Sequence, residues 1–151
     1  MSNERDGFAL VVSRFNQEIT DGLLQGALAY LRENNIRPAQ SDIYYAPGAF
    51  EIPLIAQTLA RSGRYRGVIC LGCVVKGETA HFEFISLGAT FGLMQASLES
   101  EVPISFGILT SYTEEQALAR SGKNEANKGR EAAAACLETA NLMESIRKTG
   151  H

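Results

Sequence analysis

The sequence predicts one α/β domain, a parallel sheet with helices on both faces. Three observations carry this prediction. Short apolar runs alternate with longer segments of helical periodicity along the chain. The run at 68–75 (VICLGCVV) is apolar on both faces, as a central parallel strand is. The length, 151 residues, is that of one domain, and no linker, internal repeat or low-complexity stretch divides it.

The elements follow in order. Residues 8–12 (FALVV) are the first strand. A helix comes next, with Leu23, Ala27 and Leu31 on one face beside Leu24 and Leu28. Asn34, Asn35 and Pro38 break it. Residues 42–45 are a second strand, and Pro47-Gly48 turns the chain into a helix marked by Ile52, Ile55 and Leu59. Pro53 is compatible with that helix only in its first turn. The third strand, 68–75, leads to a long helix over 81–98, where Phe84, Leu87, Phe91, Met94 and Leu98 form one stripe. Gly88 and Gly92, four residues apart within it, predict a close helix packing. Such a helix has two sides to bury, which points to subunit contact. Residues 104–109 are the fourth strand. Thr113 and Gln116 form a capping box for a short helix ended by Gly122. Asn127 or Lys128 opens the last helix, which runs toward Arg147. Residues 1–7 are a tail, and 143–151 are the end of that helix.

Composition bounds the function. Hydrophobic residues make up 45%, enough for a core and against a disordered chain. The net charge of −3 leaves no broad basic face for nucleic acid. No apolar run approaches the roughly 20 residues of a membrane helix, so no membrane partner is expected. The first residues, MSNERDG, lack an apolar signal region, and the cytoplasm is the expected compartment. Cys70, Cys73 and Cys136 are too few and too odd in number for a disulfide framework. Cys70 and Cys73, three apart on a strand, point to opposite faces and cannot share a metal.

In an open parallel sheet, ligands bind beyond the carboxyl ends of the strands. Residues 13–16 (SRFN) follow the first strand, 47–51 (PGAFE) the second, 76–81 (KGETAH) the third and 110–112 (TSY) the fourth. A ring, a carboxylate and a histidine around one cleft suit a flat, hydrogen-bonding heterocycle. His81, at the entry to the long helix, reads either as a cap or packing residue or as a group for proton transfer. Gly77-Glu78-Thr79, ahead of a helix, is a candidate anion site. Arg120, Lys123, Lys128 and Arg130 put four cations in eleven residues, read either as a solvated helix end or as a phosphate clamp. There is no G-x-G-x-x-G and no P-loop, which removes support for a dinucleotide or P-loop nucleotide site.

Together RFN at 14–16, PGAFEIP at 47–53, GCVVKGETAHFEFI at 72–85, PISFGILT at 103–110 and NKGREAA at 127–133 resemble lumazine synthase, in order and spacing, over nearly the whole chain. The resemblance implies a flavodoxin-like, three-layer α/β/α sandwich on a four-stranded parallel sheet. It implies a transferase of riboflavin biosynthesis, 6,7-dimethyl-8-ribityllumazine synthase. Such an enzyme condenses 5-amino-6-(D-ribitylamino)uracil with 3,4-dihydroxy-2-butanone 4-phosphate, without metal or organic cofactor. By the same resemblance Phe15 stacks on the pyrimidine, and Ala49, Phe50 and Glu51 bind the ribityl chain. Cys73, Val74 and Val75 meet the pyrimidine edge through their backbone, and Glu78 and Thr79 hold the phosphate. His81 is catalytic, while Phe106 and Arg120 come from an adjacent subunit, and Lys128 lies near the same site. The loop from Arg120 to Gly129 keeps the usual length, with its lysine moved one place and Ala126 where a glycine is usual. The resemblance also implies a homopentamer, and it admits a 60-subunit shell and riboflavin synthase as a partner. A lumazine- or flavin-binding module without catalysis is the competing reading, and it would require neither His81 nor Arg120.

Overall fold

A computed structural model of the chain describes residues 7–150. The elements are β1 (Gly7–Ser13), α1 (Gln17–Glu33), β2 (Ile43–Ala46), α2 (Ile52–Arg61), β3 (Tyr65–Val75), α3 (His81–Ser100), β4 (Ile104–Ser111), α4 (Glu114–Ala119) and α5 (Lys128–Thr149). Single 3-10 turns precede β2 and α2. The strands form one parallel sheet of order β2-β1-β3-β4. The order reverses between β1 and β3, and at such a switch point a crevice opens above the sheet.

The two-residue period of the strands sorts their side chains to two cores. Phe8, Leu10, Val12, Ile69, Leu71 and Cys73 pack under α1 and α5. Ala9, Val11, Val68 and Cys70 pack under α2 and α3. Cys70 and Cys73 therefore face opposite layers, as their spacing predicts, and both are buried free thiols. Arg66, half-buried, ties β3 to α5 through Glu144 at 2.9 Å and Asn141 at 2.6 Å.

Most elements start and stop where the sequence places them. Pro53 sits in the first turn of α2. Asn127 caps α5, its side chain accepting the Arg130 N–H at 2.9 Å. Gly92 approaches Pro53 so closely that an added Cβ would lie 2.7 Å from the proline Cβ, and Gly88 faces Phe50. These two glycines are where α3 closes on α2 and on the turn before it. Three expectations need correction. Gly122 does not end α4: the helix stops at Ala119, with Arg120 as its C-cap. Only half of the capping box forms, because Thr113 takes the Gln116 N–H but the Gln116 side chain accepts from Tyr112 N instead. The first strand begins at Gly7, one residue inside the expected tail; the rest of that tail, and His151, lie outside the described residues.

The α3 stripe is the largest departure from a self-sufficient core. Its buried face is Phe82, Ala89, Leu93 and Ala96. Phe84, Leu87, Phe91, Met94 and Leu98 are each more than half exposed.

The α1–α5 contact is tighter still. A Cβ on Gly129 would fall within the van der Waals shell of the Leu23 carbonyl oxygen. Backbone cannot yield there as a side-chain tip can. Gly129→Ala should lower stability by about 3 kcal/mol, the upper range for overpacking, despite the ~1 kcal/mol gained in helix propensity. Urea denaturation reads this directly, and an unchanged or higher midpoint would contradict the packing described.

Candidate functional site

Most of the predicted ligand residues meet at the switch point. Phe15, Asn16, Gly48, Ala49, Phe50, Glu51, Cys73, Val74, Val75, His81 and Ile85 line one cleft of about 490 Å³. Their positions follow from the sheet. β1 ends at Ser13, so Phe15 and Asn16 stand on the loop into α1. Phe15 and Phe50 are mostly exposed rings, at 69% and 61%. Two exposed rings lining one cleft make an apolar surface that a ligand or a neighbouring chain can cover. The extended backbone at Gly48 brings Phe15 and the Glu51 carboxylate to one point: a Cβ there would lie 3.2 Å from each. Cys73, Val74 and Val75 form the carboxyl end of β3, and His81 opens α3.

Asn16 and Ile85 are cleft residues that sequence reasoning did not single out. Asn16 adopts a left-handed backbone (φ 57°), which asparagine tolerates better than most residues. Its carbonyl accepts the N–H groups of Ile19 and Thr20, starting α1, and its side-chain amide donates to the Cys73 carbonyl at 3.2 Å. One residue thus starts a helix and pins the β1 loop to β3. An asparagine just before a helical run was the available signal.

Cys73 is not a nucleophile here. Burial, with a smaller effect from the charge of Glu114, pushes its thiol up to about 11, so it is neutral near pH 7. The backbone of β3 is what this residue offers a ligand.

Glu78 and Thr79 do not line the cleft. They lie exposed on the turn between β3 and α3, with the Thr79 hydroxyl 3.4 Å from the His81 N–H it accepts. The N-cap residue of α3, Ala80, has no side chain that can cap, so the Thr79 hydroxyl is the side-chain acceptor at this helix start.

The remaining predicted residues are elsewhere. Phe106, Arg120 and Lys128, with Tyr112, Gln116 and Glu131, line a second cleft of about 560 Å³ along β4. None of them lines the first cleft. β4 is an edge strand, so this second cleft opens away from the rest of the sheet. The four-cation cluster is divided as well. Arg130 is committed to Glu33 through two guanidinium contacts, 2.9 and 2.6 Å, and holds that carboxyl below its usual range, chiefly by hydrogen bonding. Lys128 lies 3.1 Å from Glu131. Lys123 lines a different cleft, with Arg130 and Asn127. Arg120 has no carboxylate partner among the described residues. One of its N–H groups donates to the Gln116 carbonyl at 3.0 Å. A single-chain clamp of four cations is therefore absent, and Arg120 is the guanidinium left to meet an anion.

A parallel sheet of order 2-1-3-4, with a ring, a carboxylate and a histidine lining a cleft at its switch point, defines a flavodoxin-like α/β fold. Residues 7–144 match the family model of 6,7-dimethyl-8-ribityllumazine synthase. The chain is 64% identical over 140 residues to 6,7-dimethyl-8-ribityllumazine synthase 1 of Caulobacter vibrioides, covering 93% of this chain and 92% of the relative. It is 52% identical to the 6,7-dimethyl-8-ribityllumazine synthase of Salinibacter ruber, covering 92% and 89%. It is 49% identical to that of Nitratidesulfovibrio vulgaris, with the same coverage. The chain belongs to the 6,7-dimethyl-8-ribityllumazine synthase family of transferases.

Proposed function

We propose that the two clefts are halves of one active site, completed between neighbouring subunits, and that this site carries out the family's reaction. The enzyme condenses 5-amino-6-(D-ribitylamino)uracil with 3,4-dihydroxy-2-butanone 4-phosphate, giving 6,7-dimethyl-8-ribityllumazine, phosphate and water. The observation that carries this reading is the meeting of Phe15, Glu51 and His81 in the switch-point cleft. Phe15 stacks on the pyrimidine, the backbone of Cys73, Val74 and Val75 reads its edge, and Ala49, Phe50 and Glu51 hold the ribityl hydroxyls. Glu78 and Thr79, on the turn at the start of α3, hold the phosphate, together with Arg120 of the adjoining subunit. That subunit also brings Phe106, and Lys128 lies nearby.

The chemistry asks mainly for placement. The 5-amino group attacks the ketone and water leaves as the imine forms. Phosphate departs, and the ribitylamino nitrogen closes the second ring with loss of another water. Holding two substrates in register supplies several kcal/mol as effective molarity. His81 moves protons to and from the reacting nitrogen and oxygen atoms. Arg120 binds the phosphate through charge-assisted hydrogen bonds and favours its departure. No residue in this scheme needs a metal or organic cofactor. With purified protein and both substrates, absorbance should report lumazine forming well above the uncatalysed rate. A rate equal to background would defeat the assignment.

Two features support a subunit ring. The exposed α3 stripe is apolar surface that a head-to-tail neighbour would cover, and head-to-tail contacts close into rings. The second cleft also leaves Phe106 and Arg120 apart from their own chain's His81. From the family resemblance we infer a ring of five subunits, compatible with closure of twelve rings into a shell and with riboflavin synthase as partner. Sedimentation in dilute buffer should give a pentamer or a multiple of it, and a fully active monomer would contradict the shared site. Among the described residues no helix is long and apolar enough to cross a membrane. The cytoplasm is the compartment this reading assigns.

A further inference from the structure

Asn127 does more than cap α5. Its side chain is almost wholly buried, 2% exposed, and every polar atom on it is used. Oδ1 accepts the Arg130 N–H at 2.9 Å. Nδ2 donates to two carbonyls, Gly122 at 2.9 Å in its own loop and Gly22 at 3.0 Å on α1, 105 residues away. Position 127 is thus the rivet between the 120–127 loop and the rigid α1 helix.

The rivet acts close to Arg120. The N–H of Lys128, the next residue, donates to the Arg120 carbonyl at 2.8 Å. On the other side, the Ser121 carbonyl presses on the Cα of Gly22, where an added Cβ would overlap it. Gly26 is shaped to the same purpose, because a Cβ there would occupy the space of the Asn127 amide. The backbone around Arg120 is therefore held on one side by the Lys128 N–H and on the other by the contact of Ser121 with α1, while its side chain is exposed and, among the described residues, donates to the Gln116 carbonyl. A long side chain on an exposed C-cap has little else to set where its guanidinium points.

We propose that Asn127 is a positioning residue for the phosphate-binding arginine: it locks the 120–127 loop onto α1 and so places Arg120 for the butanone phosphate. The inference rests on the reading of Arg120 given above. Serine is as good a helix cap as asparagine, so Asn127→Ser keeps the cap of α5, while its shorter side chain gives up the amide bonds to Gly22 and Gly122. Losing them frees the loop, and misplacement of a binding group by about 1 Å can cost up to 10²-fold.

The test compares Asn127→Ser, Arg120→Ala and the double variant in steady-state kinetics with both substrates. Asn127→Ser should raise KM for the butanone phosphate roughly tenfold and leave KM for the pyrimidine unchanged. It should add nothing further once Arg120 is alanine. Amide exchange at Lys128 should quicken in Asn127→Ser, since its acceptor is the Arg120 carbonyl. Equal rises in both KM values, an additive effect in the double variant, or no change at all would overturn the proposal. If Asn127→Ser does not fold, Asn127→Thr, also a helix cap without an amide but with a bulkier side chain, takes its place, and the same split is expected of it. The two readings fail separately. An unaltered phosphate KM in Arg120→Ala removes the arginine's role, whereas a loss in Arg120→Ala with none in Asn127→Ser removes only the rivet's.

Discussion

His81→Ala should slow turnover by ~10²–10⁴-fold while leaving KM for both substrates nearly unchanged. The histidine is the first residue of α3 and lines the cleft beside Glu51 and the end of β3. Among the described side chains of that cleft it is the one imidazole, able to take a proton at one nitrogen and give one from the other. The Cys73 thiol beside it is held neutral by burial and cannot take over. Imine formation, phosphate loss and ring closure each move a proton, so one missing shuttle affects every step. Single-turnover measurements with both substrates saturating isolate the chemical steps. A loss below about threefold would show that the substrates, once held together, exchange protons without this side chain.

Arg120→Ala should instead act on binding. Removal of a charge-assisted contact to phosphate costs roughly 1.5–3 kcal/mol, or about ten- to hundredfold in affinity for the butanone phosphate. Affinity for the pyrimidine should be preserved, because Phe15, Glu51 and the β3 backbone lie in the other cleft. Lys128→Ala should cost less, since Glu131 already neutralises that lysine. Equal losses for both substrates in Arg120→Ala would show that the residue supports the loop and not the phosphate.

The sheet and its helices were legible because the signals were local and redundant. VICLGCVV can be little other than a central strand, and the Pro53 and Asn127 boundaries follow from backbone chemistry at single positions. The placing of Phe15, Glu51 and His81 in one cleft was legible too, since strand order does not alter which end of a parallel strand carries its loop. What was not legible depends on contacts between distant segments. Arg120, Lys123, Lys128 and Arg130 look like one clamp in sequence, yet Glu33 and Glu131 claim two of them and two different clefts divide the four. The bridge from Asn127 to Gly22 spans 105 residues and leaves no periodic trace. The α3 stripe carried the opposite lesson. Its period was plain, but which of two apolar faces met the sheet was settled by the small residues Ala89 and Ala96, which allow close approach.

The shared site is tested most directly by mixing two defective chains. His81→Ala and Arg120→Ala variants, dissociated together and reassembled one to one, each retain the half that the other lacks. If sites lie between neighbours, about one quarter of them should regain an intact His81 beside an intact Arg120. Activity should then rise above the mean of the two parent assemblies, carried by sites with the wild-type KM for the butanone phosphate. If mixing gives only the average of the parents, His81 and Arg120 of one site belong to the same chain and the account is wrong.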